Sequence, residues 1–163
     1  MARRVQARRI GSAVLVTALL WGTAGQARAG SGDGGERGRA AGCRAELAGM
    51  WERYNRAFDA RDVGRLMAHY RSDAVKVDPD GSYHQGAASV GELFAGLFTL
   101  DFTSEFREVR RTVAGCDTAV LVLNSTLSVP EWGHTERFMS VLSFTHERGR
   151  WRVVANVSTP LAG

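Results

Sequence analysis

The chain is short of the signatures on which most enzyme classes depend. Its 163 residues include two cysteines and three prolines, too few for a disulfide-dense scaffold or a proline-rich linker. The cysteines form no C-x-x-C pair, which removes thioredoxin-like redox chemistry. No G-x-S-x-G elbow, phosphate-binding loop or dinucleotide glycine fingerprint occurs, so nothing points to an activated serine, a nucleoside triphosphate or a nicotinamide. His69, His84, His134 and His146 fall into neither H-x-H nor H-E-x-x-H spacing, and the shared strand face of His134 and Glu136 is an ordinary surface pairing. No metal site and no cofactor is therefore expected. Internal repeats and heptads are absent. The longest apolar run, Ala13 to Trp21, falls short of the about 20 residues that a membrane-spanning helix needs.

That run reads instead as part of an export signal. Arg3, Arg4, Arg8 and Arg9 precede it, and Ala27-Arg28-Ala29 follows as a small-x-small cleavage site. Residues 1–29 are thus expected to be a signal peptide, with the released protein secreted or extracytoplasmic and not held in a membrane. This expectation changes the meaning of the charge. The chain carries 21 basic and 17 acidic residues, a balance that invites a nucleic-acid partner. Five of the basic residues and none of the acidic ones lie in the leader, leaving 16 against 17. No nucleic-acid partner is expected. Residues 30–42, GSGDGGERGRAAG, read as a flexible Gly-rich linker without apolar periodicity, and residues 43–163 as one domain.

The domain opens with helical periodicity. Leu47, Met50, Trp51, Tyr54 and Phe58 form one stripe at helical spacing. Asp62 is a natural N-cap for a second, shorter helix with Val63, Leu66, Met67 and Tyr70 on its inner side. A short strand ends in Val77-Asp78-Pro79-Asp80-Gly81, which is turn chemistry. After the arm Ser82 to Gln85, Gly86 starts a third helix with Val90, Leu93, Phe94 and Leu97 inward. From Phe102 to Thr159 the period changes to two, with turns at Gly115-Cys116-Asp117, Pro130 to Gly133 and Arg148-Gly149-Arg150. Helices followed by antiparallel strands are an α+β arrangement. Thr118 to Val129 is apolar on both faces, so its outer face needs a cover, and a second copy of the chain is the expected one. In an exported chain an even number of cysteines favours a Cys43–Cys116 disulfide, both residues lying at ends of elements.

The string Tyr54-Asn55-Arg56-Ala57-Phe58, then Asp62, Asp73-Ala74-Val75, Asp78-Pro79-Asp80-Gly81 and Gly86 resembles the SnoaL-like, nuclear transport factor 2-like superfamily. Within it the string is most similar to the SgcJ/EcaC-type oxidoreductases, and the same stretch lines up with the first half of ketosteroid isomerases. The resemblance implies a cone of helices packed on a curved, mainly antiparallel sheet, dimers formed through that sheet, and a pocket at its open end. It places Tyr54 at the position of the isomerase's carbonyl-polarising tyrosine and Asp78 at that of its proton-shuttling base. A base must reach an acidic C–H while a donor stabilises the enolate oxygen that forms.

Three departures accompany this match. The isomerase's second donor, a protonated aspartic acid, falls at Ser140, a weaker and shorter donor. Lys76 stands where the isomerase is apolar, and two residues before Asp78 it shares a strand face and can pair with it. Ala155 and Val157 are apolar where related sequences carry polar groups after the tryptophan, so a greasy pocket is expected, with Trp51, Phe58 and Val157 as walls and Tyr70 beside Tyr54. His84, on the arm, is the spare acid or base. Asp78 could equally serve the turn, and Tyr54 the core. The leading reading is an exported protein that binds an apolar or polyketide-like molecule, with a cofactor-free isomerase-like or oxidoreductase-like step upon it. The alternative is a non-catalytic binding or dimeric assembly module of the same fold.

Overall fold

The computed structural model describes residues 32–161; the expected leader lies outside them. Helix α1 spans Gly32–Asp59, α2 Val63–Met67 and α3 Gly86–Leu97, and the strands are β1 (Tyr70–Val77), β2 (Tyr83–Gln85), β3 (Thr103–Ala114), β4 (Thr118–Val129), β5 (His134–Glu147) and β6 (Arg150–Pro160). The strands form one sheet in the order β2-β1-β6-β5-β4-β3. Only the β1–β6 pairing is parallel among the described strands. This is the α+β arrangement of helices on a mainly antiparallel sheet.

The Gly-rich linker expected at residues 30–42 is corrected from Gly32 onward: these residues are the first turns of α1. A Cβ at Gly35, Gly38 or Gly42 would meet open space, so these glycines are not required there by close packing. The segment from Cys43 is held by burial of Leu47, Met50, Tyr54 and Phe58, and this supplies the helix nucleus. Once a nucleus exists, each further residue needs only to propagate it, which Arg39, Ala40 and Ala41 do well.

The expected second cap is present. The Asp62 carboxylate accepts from the Arg65 amide at 2.9 Å and starts α2. In the turn after β1, the Gly81 amide donates to the Asp78 carbonyl at 2.9 Å, and Gly81 has φ of 88°. It is Asp80 whose side chain serves this turn, accepting from the Ser82 amide at 2.8 Å and the Ser82 hydroxyl at 2.9 Å. The Asp78 carboxylate is therefore left for other partners.

Two interruptions of the sheet govern which residues face inward. On β1 the register against β6 shifts between Tyr70 and Val75. On β6, Val153 pairs with Phe144 and Ala155 with Ser143, so Val154 is an extra residue. Because side chains alternate with period two, one bulged residue moves every later side chain to the opposite face. Trp151 and Val153 are buried before it, and Asn156 and Ser158 after it.

The outer face carries an apolar row across five strands. Val122 pairs with Val141, Val141 with Val157, Val157 with Val77, and Val77 with Tyr83. Val157 and Tyr83 are exposed at 37% and 59%.

Cys43 and Cys116 form a disulfide with Cα atoms 5.5 Å apart. It ties α1 to the tip of the β3–β4 hairpin, and the Trp151 indole donates to the Cys43 carbonyl at 3.1 Å beside it. The bond closes a loop of 73 residues, which chain entropy converts to roughly 4 kcal/mol of stabilisation. The denatured, unreduced protein should thus titrate no free thiol, and reduction should lower its denaturant midpoint; two free thiols before reduction would refute the link.

Candidate functional site

Between α1, α3 and the concave face of the sheet lies a cavity of about 560 Å³. Its walls are largely apolar. Trp51 and Phe58 reach it from α1, Phe94 and Leu97 from α3, and Phe106 and Phe138 from the sheet. Phe58 is the hub of this wall, with ring centroids of Phe94, Phe98, Phe102 and Phe106 at 6.0, 5.3, 5.8 and 5.1 Å, each near edge-to-face. That geometry sets the positive ring edge against the negative face and adds to the burial itself. Trp132, 61% exposed on the 3-10 turn Pro130–Trp132, stands among the lining residues with Glu136.

Polar groups interrupt the apolar surface on its inner side. Tyr54 and Tyr70, both buried, share a hydroxyl–hydroxyl hydrogen bond of 2.9 Å. The Asn156 amide donates to the Tyr70 oxygen at 3.2 Å. With that donor in place Tyr70 can pass its own hydrogen to Tyr54, leaving the Tyr54 hydrogen free to serve the cavity. Burial, foremost, pushes the Tyr70 phenol up to about 12. It also holds Tyr54 well above its ordinary value, with Tyr70 beside it adding to the effect. Both therefore remain donors at neutral pH. Asn156 is 7% exposed, lines the cavity, and its Oδ1 has no hydrogen-bond partner.

Ser125, Ser140 and Ser158 form a buried ladder across β4, β5 and β6, with Oγ–Oγ distances of 3.2 and 3.3 Å. Ser140 and Ser158 line the cavity. At the end of β1, Lys76 and Asp78 meet across the cavity wall, Nζ to Oδ1, at 2.5 Å. Nε2 of His84 lies 3.2 Å from the other oxygen of Asp78. It is within ion-pairing reach when the ring is protonated, but it is not aligned as a hydrogen bond.

The structure thus brings Trp51, Tyr54, Phe58, Lys76, Asp78 and Ser140 to one cavity. It does not bring Tyr70 or Val157 there. Tyr70 stands behind the wall as partner of Tyr54 and Asn156. Val157 faces outward, because the bulge at Val154 reverses the parity counted from Trp151. The same reversal corrects the expected greasy strand: Asn156 and Ser158 take the inward places, so β6 presents polar groups to an otherwise largely apolar cavity. The triplet Asn156-Val157-Ser158 also reads as a glycosylation sequon, but Asn156 is buried and cannot carry a glycan. Among the described residues no three His, Cys, Asp or Glu side chains gather as a metal-holding group.

No curated protein matches this chain. Among solved structures it is similar to a nuclear transport factor 2-like protein with a cystatin-like fold from Novosphingobium aromaticivorans, with TM-score 0.68, 19% identity, and coverage of 83% of this chain and 93% of that one. It is also similar to a ketosteroid isomerase-like protein from Erwinia carotovora atroseptica, with TM-score 0.59, 16% identity, and coverage of 73% and 96%. A nuclear transport factor 2-like protein of unknown function from Pseudomonas putida gives TM-score 0.63 at 17% identity, covering 74% and 88%. At such identities these likenesses establish the nuclear transport factor 2-like fold and nothing finer. The SnoaL-like domain profile matches residues 51–154, the stretch from Trp51 through the bulge of β6, and the chain belongs to the SnoaL-like domain family.

Proposed function

We propose that this is an exported small-molecule pocket protein that takes an apolar, polyketide-like carbonyl compound and acts on it without a cofactor. The observation that carries this reading is the position of Tyr54 and Asp78 on one cavity with aromatic walls. Tyr54 supplies a neutral phenol donor for a carbonyl oxygen, and Asp78 a carboxylate free of turn duties. An isomerase-like step needs that carboxylate to take a proton from carbon while the phenol stabilises the enolate oxygen. The ketosteroid isomerase-like neighbour and the SgcJ/EcaC-like string around Tyr54 support this assignment without extending to a substrate.

A second reading, a binding or assembly module without turnover, is favoured by two observations. Asp78 is engaged by Lys76 at 2.5 Å, so the carboxylate already has a partner. The outward row from Val122 to Tyr83 is the kind of surface a second copy of the chain would cover. A homodimer through this face is part of both readings.

Four outcomes are expected. An apolar aromatic ketone should quench tryptophan fluorescence saturably, and Tyr54→Phe should weaken its binding by about 1 kcal/mol, the net worth of one neutral hydrogen bond. Asp78→Asn should abolish exchange of the ketone's α-hydrogens with solvent while binding persists; exchange unaffected by that change would exclude Asp78 as the base. Val141→Arg should convert a dimer to a monomer in sedimentation, since an unpaired charge at a covered face is costly, and a monomeric wild type would remove the dimer. The mass of the released protein should start at Gly30, and retention of Met1 in a membrane fraction would overturn export and release.

A further inference from the structure

This chain has a single lysine, Lys76. All other side-chain cations of fixed charge are arginines, yet the one lysine is placed in the cavity wall, 7% exposed. Lysine is almost never buried unless paired. Its partner is Asp78 at 2.5 Å, and the ammonium also lies 5.9 Å from the Phe94 ring centroid. A purely structural role explains this poorly, because a buried ion pair rarely stabilises more than apolar residues of the same volume would. The neighbour of Lys76 in register on β6 is Asn156, the buried residue whose Oδ1 has no partner.

We propose that Lys76 captures carbonyl compounds covalently, forming a Schiff base with a neutral apolar aldehyde or ketone held in the cavity. This rests on the reading of the cavity as a carbonyl pocket and assigns it a different reacting atom. Nζ passes a proton to Asp78, and the neutral amine attacks the carbonyl carbon. The C–O π bond breaks as the C–N bond forms, and Asp78 returns the proton to the oxygen. Asp78 then takes the second Nζ proton and gives it to the hydroxyl, which leaves as water. The product is an iminium, so one ammonium and one carbonyl have become one iminium and one water, and the site's charge is unchanged. The carboxylate that paired the ammonium pairs the iminium. Asn156 Oδ1 is the spare acceptor beside Lys76 for the hydroxyl of the carbinolamine.

The walls also set the substrate class. Trp51, Phe58 and Phe94 suit a flat apolar body. Against the one lysine stand Asp78, Asp80 and Glu136, so a 2-oxo acid, which brings its own carboxylate, is disfavoured.

The test is reductive trapping on the folded protein, with 2-naphthaldehyde and sodium cyanoborohydride, read by intact mass and peptide mapping. One reduced naphthylmethyl group should appear on Lys76 at least about tenfold faster than on the chain's α-amino group, because binding presents the carbonyl to the amine. Urea should erase that preference, 2-naphthalenemethanol should compete with it, and pyruvate should show none. Lys76→Arg keeps the cation beside Asp78 and should lose the internal adduct, and Asp78→Asn should slow it. Equal or faster labelling of the α-amino group in the folded protein, or equal Lys76 labelling in folded and unfolded protein, overturns the proposal. Saturable fluorescence quenching by 2-naphthalenemethanol without a Lys76 adduct would overturn the amine's role and leave the apolar pocket standing. Absence of both would overturn both.

Discussion

Helix α1 is pinned at two places, and the rest of the domain depends on the space between them. At one place the Cys43–Cys116 disulfide and the Trp151 indole bond hold it to the sheet. At the other, Phe58 is packed edge-to-face among four phenylalanines from α3, the following loop and β3. Trp51 and Tyr54 lie between these anchors and face the cavity. A protein interior normally fills to crystal-like density, so a void of about 560 Å³ persists only because rigid contacts on both sides stop the helix from collapsing onto the sheet.

The chemistry of the cavity follows from how its polar groups are satisfied. The inner side is a connected set, with Tyr54, Tyr70 and Asn156 in one chain of hydrogen bonds and three serines in another. Connected networks in low dielectric hold their members in place. Against that ordered background two features stand out, a lysine–aspartate pair at 2.5 Å and a buried amide oxygen without a partner. Both lie at the β1–β6 pairing, the parallel junction of the sheet. A buried polar atom left unpaired, like Asn156 Oδ1, costs free energy that the rest of the fold has to offset.

Among the described residues no helix is long and apolar enough to cross a membrane, and the outer face of the sheet carries a row of valines, half-buried except for the exposed Val157. Aromatic walls inside and valines outside place two unlike apolar surfaces back to back on the same strands. The alternation of β4 made both visible in advance, since Ala119, Leu121 and Leu123 sit on one parity and Val120 and Val122 on the other.

The local sequence by itself determined a good deal. Helical spacing from Leu47 to Phe58, the Asp62 cap, the turn at Asp78 to Gly81 and the period of two after Phe102 specified the α+β layout, because each is read from neighbours within a few residues. Lys76 and Asp78 were legible as a pair for the same reason, two positions apart on one strand. What only the tertiary structure decided is parity and reach. The bulge at Val154 arises from pairing with Ser143 and Phe144 on another strand, so no count along β6 alone could show that Asn156 and Ser158, not Val157, face the cavity. Tyr70 drew back behind the wall because its hydroxyl found Tyr54 and Asn156, residues 16 and 86 positions away. The Gly-rich start of α1 became helical because residues held by distant packing supplied its nucleus. Contacts of that range leave no mark in a local pattern, since any residue of suitable size and polarity can make them.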